Sequence, residues 1–249
     1  MNRFLAAAAA FVIALPLSVS AATVNINYTN FAKSDIGAAR AARDAFMGGP
    51  AIGEEFESFT ACKSKTSANC DNGRIITSVG TFTGITPSIT NGGSQVGPKD
   101  AIVVRTSAPN PYGRFNTTLG GANWLDSNDL AGILWTLAAP TSSFFQKISF
   151  FLTDIDDVGD VKFNIQANGE AAVVRPGPNR LSNGALYLVT MDFNSKVSDL
   201  SISMVNGKGD GFGFDSAQVQ VAPVPVPAAG FLLLGALGGL MAMRRRRNV

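Results

Sequence analysis

Short runs of β-forming residues separated by tight-turn dipeptides constrain this chain more than any other feature. Asn72-Gly73, Gly92-Gly93, Asn168-Gly169, Asn183-Gly184 and Asn206-Gly207 punctuate the sequence beyond Glu55. Around them lie Arg74-Ile75-Ile76-Thr77, Ala101-Ile102-Val103-Val104-Arg105, Lys147-Ile148-Ser149-Phe150-Phe151-Leu152, Val161-Lys162-Phe163-Asn164-Ile165, Leu186-Tyr187-Leu188-Val189-Thr190 and Leu200-Ser201-Ile202-Ser203-Met204. Glycine and asparagine supply the positive φ that tight turns need, so these runs read as strands joined by turns. Asn168-Gly169 sits between two apolar-rich runs, 161–166 and 171–175, and predicts a hairpin. Many short strands at this spacing predict an all-β fold, an antiparallel β-sandwich of jelly-roll type, rather than a parallel sheet.

Two helices are expected beside the strands. After the alternating run Thr23-Val24-Asn25-Ile26-Asn27-Tyr28, Ser34 or Asp35 can cap a helix carrying Ile36, Ala39, Arg40, Arg43 and Phe46 at helical spacing. Gly48-Gly49-Pro50 stops it. A second helix is expected over 127–137, where Asp126 or Ser127 would cap a stretch holding Leu130, Ile133, Leu134 and Leu137.

The two ends have a different character. Residues 4–17 form an apolar run behind Arg3, broken by Pro16 and followed by Ser18-Val19-Ser20-Ala21-Ala22. That order predicts a signal peptide; cleavage after Ala21 or Ala22 satisfies the small-residue rule, and 1–22 is taken as the segment removed. At the other end, 221–227 reads Val-Ala-Pro-Val-Pro-Val-Pro, an extended linker. Residues 228–243 are uniformly apolar and closed by Arg244, Arg245, Arg246 and Arg247, which predicts a short membrane helix with its charged end in the cytoplasm. Sixteen helical residues rise only about 24 Å, so the arginines must snorkel or the bilayer must thin. The Gly235 and Gly239 pair in that run suits either helix dimerisation or docking on a processing enzyme. The expected organisation is a signal peptide (1–22), an exported domain (23–220), a Pro-rich linker (221–227) and a membrane helix with an arginine tail (228–249).

Charge and composition exclude some functions. Without Arg3 and the C-terminal arginines the chain keeps fifteen basic residues against eighteen acidic ones, a net −3. A weakly acidic domain without a basic cluster leaves no footprint for nucleic acid. The chain has no histidine, which removes the commonest general base and every Ser-His-Asp or Cys-His arrangement. Its two cysteines, Cys62 and Cys70, are an even pair in an exported chain and predict a disulfide, worth about 2–3 kcal/mol by chain entropy. A carboxylate-pair glycan hydrolase is the hydrolytic option left, with Glu54, Glu55, Glu57 and Glu170 as the glutamates to supply it.

Three sets of residues suggest ligands. Tyr112, Asn123, Trp124, Asp126, Asn128 and Asp129 combine aromatic rings with amide and carboxylate groups, as a glycan contact would, although a tryptophan in a β-sandwich also suits the core. Trp135, between Leu134 and Leu137, is assigned to the core. Calcium is suggested twice, first by Asp154, Asp156, Asp157 and Asp160 in one turn. The second set joins Glu55 or Glu57 near the front of the chain with Asp210 and Asp215 near its end, and solvated acidic turns are the alternative to both.

The C-terminal segment resembles the PEP-CTERM family of sorting signals in its VPLPA variant. The matching stretch is Val224-Pro225-Val226-Pro227-Ala228, with Val226 where the variant usually has Leu, followed by the apolar run and the arginines. The resemblance implies recognition by an exosortase, a membrane-embedded thiol protease of Gram-negative bacteria, and association with exopolysaccharide. The blocks Glu54-Glu55-Phe56-Glu57-Ser58-Phe59, Gly113-Arg114-Phe115-Asn116-Thr117-Thr118-Leu119-Gly120-Gly121, Trp124-Leu125-Asp126-Ser127-Asn128-Asp129, Thr153-Asp154-Ile155-Asp156-Asp157-Val158-Gly159 and Gly211-Phe212-Gly213-Phe214-Asp215 are similar to those of exported VPLPA-type proteins. The early Phe-Glu and late Phe-Asp also resemble MAM-like jelly rolls, in which first and last strands pair and their carboxylates hold calcium. Ser216 stands where that pattern usually has a second Asp. The expected function is non-enzymatic: an exported surface or extracellular-matrix protein, processed by an exosortase and associated with polysaccharide. A dedicated carbohydrate-binding module and a carboxylate-dependent glycan hydrolase are the alternatives.

Overall fold

A computed structural model describes residues 24–63, 69–88, 101–106, 113–128, 130–155, 163–168, 170–174, 184–206 and 211–223. The expected signal peptide, the sorting motif Val224–Ala228 and the arginine tail therefore lie outside the described residues, and so do Tyr112, Asp129, Asp156, Asp157, Asp160 and Asp210. Among the described residues no helix is long and apolar enough to cross a membrane.

Among the described residues the fold is all-β with one short α-helix. In chain order the strands are β1 (Val24–Phe31), β2 (Ile52–Glu54), β3 (Ile75–Thr77), β4 (Gly80–Ser88), β5 (Val103–Thr106), β6 (Asn123–Asp126), β7 (Leu130–Ala138), β8 (Ser143–Thr153), β9 (Phe163–Ala167), β10 (Glu170–Val174), β11 (Leu186–Val197), β12 (Asp199–Val205) and β13 (Gly213–Pro223). They form two antiparallel sheets. Sheet A runs β1-β11-β8-β13-β6-β5, with β2 added to β13; sheet B runs β10-β9-β12-β7-β4-β3. From β7 onward the chain passes repeatedly between the two sheets. The hairpin expected at Asn168 is present, with β9 and β10 paired from Glu170↔Ala167 to Val174↔Phe163.

The helix α1 (Ile36–Met47) follows one turn of 3-10 helix at Lys33–Asp35. Its end is as expected: Gly48 takes a positive φ of 64° and its N–H donates to Asp44 O at 3.0 Å. At its start Asp35 holds the N-cap position but makes no side-chain cap bond; instead Ser34 Oγ donates to the Asp35 carboxylate. Ala39, Arg43 and Met47 recur every four residues and form the buried stripe that lies on sheet A.

The second expected helix is corrected. Residues 130–138 are strand β7, paired with β4 on one side and β12 on the other. Ile133, Trp135 and Leu137 alternate into the core with a period of two. Two factors favour the strand. Gly132 costs a helix about 1 kcal/mol, and its lack of a Cβ lets the Met204 carbonyl approach. Ser127 caps no helix; its Oγ accepts the Phe212 N–H.

The core between the sheets is aromatic at its centre. Phe214 packs against Phe56, Phe82, Trp135 and Phe150, with ring centroids 5.0–6.1 Å apart. Trp135 donates its indole N–H to Val79 O at 3.0 Å, so burying this large ring leaves no unpaired donor. A second, smaller apolar cluster of Ala39, Phe151, Leu186 and Leu188 fixes α1 on the outer face of sheet A.

Candidate functional site

The polar residues singled out in the sequence gather on the outer face of sheet A, under a strap formed by residues 113–122. Asp215, on β13, is the centre of the first group and only 1% exposed. Its Oδ2 accepts the Thr117 N–H at 2.7 Å and the Thr117 hydroxyl at 2.8 Å. Its Oδ1 accepts the Ser216 N–H at 2.7 Å. Burial pushes the Asp215 carboxyl up to about 7; hydrogen bonds from Thr117 and Ser216 oppose that rise, and the nearby Glu55 charge adds to it. Ser216 sits at φ 51°, where β13 slips register between Asp215 and Gln218. This bulge turns the Ser216 hydroxyl toward Thr117 and Thr118.

Arg40 of α1 closes the group. One guanidinium nitrogen donates to both Thr117 O and Ser216 Oγ at 3.1 Å, and the other meets Glu55 Oε1 at 2.8 Å. The first two glutamates of the Glu54-Glu55-Phe56-Glu57 block are thus committed internally, since Glu54 accepts the Phe56 N–H at 2.7 Å. Glu57 Oε1 accepts Asn116 Nδ2, Ala122 N and Asn123 N at 2.8–3.1 Å, which pins the far end of the strap. Gly121 leaves the space for that carboxylate, because a Cβ there would collide with it.

The second group surrounds Asp126, fully buried on β6. Arg105 Nη1 donates to one carboxylate oxygen and Arg114 Nη1 to the other, both at 2.7 Å, and the Asn128 N–H adds a third bond. Burial alone would raise this carboxyl, but the two guanidinium charges and these hydrogen bonds outweigh it and hold Asp126 below its ordinary value. Arg114 also lies 3.7 Å from the Asp154 carboxylate, whose other oxygen accepts the Gly184 N–H. Five stretches of the chain meet here, at Arg105, Arg114, Asp126–Asn128, Asp154 and Gly184.

The structure thus brings Glu55 near Asp215, and Asp126 near Asp154, with each carboxylate taken by donors of the protein itself. Trp124 is 0% exposed with the Arg105 guanidinium over its ring, so it presents no face to a sugar. Asn128 is buried with its amide on Ala101 O, and Asn123 donates to Phe56 O and Phe59 O. Of the residues suggested for calcium, Glu55 faces a guanidinium, Glu57 three donors and Asp215 N–H and O–H groups, while Asp156, Asp157, Asp160 and Asp210 lie outside the described residues. Among the described residues no group of three or more acidic or sulfur side chains is gathered for a metal. The first and last strands do not pair directly; β2 meets β13 instead, with Glu54 opposite Ala217.

Sequence reasoning missed Arg40, Arg105, Arg114 and Thr117, the partners that make the acidic residues structural. Arg114 and Thr117 stood inside a recognised block without a role. The other two arginines carried no signal, because only the fold brings α1 and β5 to the carboxylates.

Comparisons with known proteins give weak likenesses only. No protein-family profile matches the chain, and no curated protein matches it in sequence. Among solved structures, a CBM22-1 xylan-binding domain from Paenibacillus barcinonensis is similar at 12% identity and TM-score 0.34, over 71% of this chain and 97% of that one. The adhesin domain of Lys-gingipain from Porphyromonas gingivalis is similar at 12% identity and TM-score 0.29, over 69% of this chain and 98% of that one. At this identity and TM-score the likeness assigns no function.

Proposed function

We propose that this chain is a non-enzymatic exported protein of the bacterial surface or extracellular matrix, released near Val224–Ala228 by an exosortase and associated with exopolysaccharide. The Cys62–Cys70 disulfide carries the reading: both cysteines of the chain are joined, as suits an oxidising compartment outside the cytoplasm. The non-enzymatic part is supported by the carboxylates just described, which turn inward to arginines and N–H groups instead of facing one another across an open cleft. A jelly-roll-like sandwich is the finer reading of the repeated crossing between sheets.

Strand β13 ends at Pro223, directly before the Pro-rich motif. Four residues, 224–227, separate it from the apolar run, a reach of at most about 14 Å. A membrane-embedded protease would therefore cut close to the folded sandwich, and the domain would leave with β13 as its C-terminal strand. Intact-mass analysis of protein recovered from the native cell surface tests this: the expected mass lacks Arg244–Arg247 and the apolar run. A mass that still includes them would overturn processing.

A further inference from the structure

The edges of the two sheets are treated very differently. Sheet edges expose unpaired N–H and C=O groups and are normally kept short, charged, bulged or covered. In sheet B the edge strands are β3, with three residues, and β10, with five residues beginning at Glu170. At one edge of sheet A, β5 is covered by the disulfide segment: Cys62 N donates to Val104 O, Val104 N to Asp71 O and Gly73 N to Ile102 O, at 2.7–3.0 Å.

Among the described residues, strand β1 at the other edge shows none of these protections. All eight of its residues pair in continuous register with β11, from Val24↔Phe193 to Phe31↔Leu186, without a bulge. Its sequence, Val-Asn-Ile-Asn-Tyr-Thr-Asn-Phe, has no charge, no proline and no glycine. Asn27, Tyr28, Thr29 and Asn30 are exposed in succession, so both faces of the strand are open there. The neighbouring β10 of sheet B passes close by but forms no ladder with it.

We infer that the free edge of β1 is an interaction surface for a second copy of this chain, joined by antiparallel β1–β1 pairing about a two-fold axis. Such a pairing is self-complementary and closes after two copies. Side chains opposite one another must lie on the same face, so the axis passes through a residue rather than between two. Centred on Asn27, it places Asn25 opposite Thr29 and Ile26 opposite Tyr28; centred on Tyr28, it places Asn27 opposite Thr29 and Ile26 opposite Asn30. Both registers set amides, hydroxyls and apolar groups together and bring no like charges into contact. A partner bearing charges along its strand would gain nothing from this neutral edge, whereas an identical strand matches it along its whole length.

Single cysteines test the inference on the full chain, since both native cysteines are already joined. At a two-fold pair the Cα atoms approach to about 4.5–5.5 Å, within disulfide reach. Under mild oxidation, Asn27→Cys or Tyr28→Cys should give a covalent dimer, while the exposed control Gln146→Cys should not. In sedimentation, Asn27→Lys should raise the dissociation constant of the dimer about tenfold or more by opposing two like charges. Failure of both β1 cysteines to link, or a dimer that Asn27→Lys leaves unchanged, would overturn the proposal. A dimer held by the apolar C-terminal run would give that second result.

Discussion

The two edges of sheet A solve the same problem in opposite ways. At the β5 edge, Cys62 and Asp71 bond to Val104, the disulfide joins Cys62 to Cys70, and Arg105 of β5 reaches the buried Asp126. At the β1 edge the eight-residue strand carries no charge, and among the described residues no strand pairs with its outer side. The fold invests its cross-link and its buried ion pairs on one side and leaves the other bare. Unpaired strand edges are costly where nothing is to bind, so the asymmetry marks β1 as the side that meets a partner.

The comparison breaks most severely at Asp126. Replacing it with Ala leaves two arginines without their shared carboxylate, which should cost about 3–5 kcal/mol in denaturant unfolding. A loss below about 1 kcal/mol would mean that the β5 side is not held by this network. The double change Cys62→Ser with Cys70→Ser should cost about 2–3 kcal/mol. It should also speed amide exchange at Val104 and Gly73, whose N–H groups bond to or from this segment. Amides of β1 should not respond to it.

Strap attachment gives a pH-dependent version of the same contrast. Asp215 holds its proton more tightly in the folded state, where its carboxyl lies at about 7 instead of 3.8. Its contribution is therefore fully present below pH 3.8 and is lost as pH rises through about 7. Asp126 acts oppositely: its carboxyl is lowered, so its stabilisation is present above pH 3.8 and lost on acidification. Asp215→Asn should flatten the stability profile between pH 4 and 7, by up to about 1 kcal/mol per pH unit, without altering the acid limb. Unfolding curves that keep the wild-type slope in this variant would show that Asp215 is not the group responsible. The smallest effect belongs to Asn27→Lys, an exposed edge change that should alter monomer stability by no more than about 0.5 kcal/mol while opposing association.

Most of the fold was legible because strands, turns and α1 depend on local chemistry. The hairpin at Asn168, the stop at Gly48 and the Cys62–Cys70 pair needed only neighbours in sequence. Strand β7 was misread because Leu130, Ile133, Leu134 and Leu137 fit a helical spacing, while the competing alternation of Ile133, Trp135 and Leu137 wins through pairing with β4 and β12. The partners of the acidic residues were not legible for a related reason. A carboxylate facing calcium and one facing arginine look alike in sequence, and the deciding groups, Arg40 and Arg105, lie 15 and 21 positions from Glu55 and Asp126. Trp124 illustrates the same limit: its sequence left a glycan face and the core both open, and burial on β6 decides for the core.

Amide exchange on the full chain, followed as a function of protein concentration, tests most directly whether the bare edge is a meeting surface. The outward-pointing amides among Ile26–Asn30 should exchange quickly in dilute solution and slow as concentration rises, while Val104 on β5 stays protected at every concentration. Protection of β1 that does not change with concentration, or fast exchange that persists when the protein is concentrated, would contradict self-pairing at this edge.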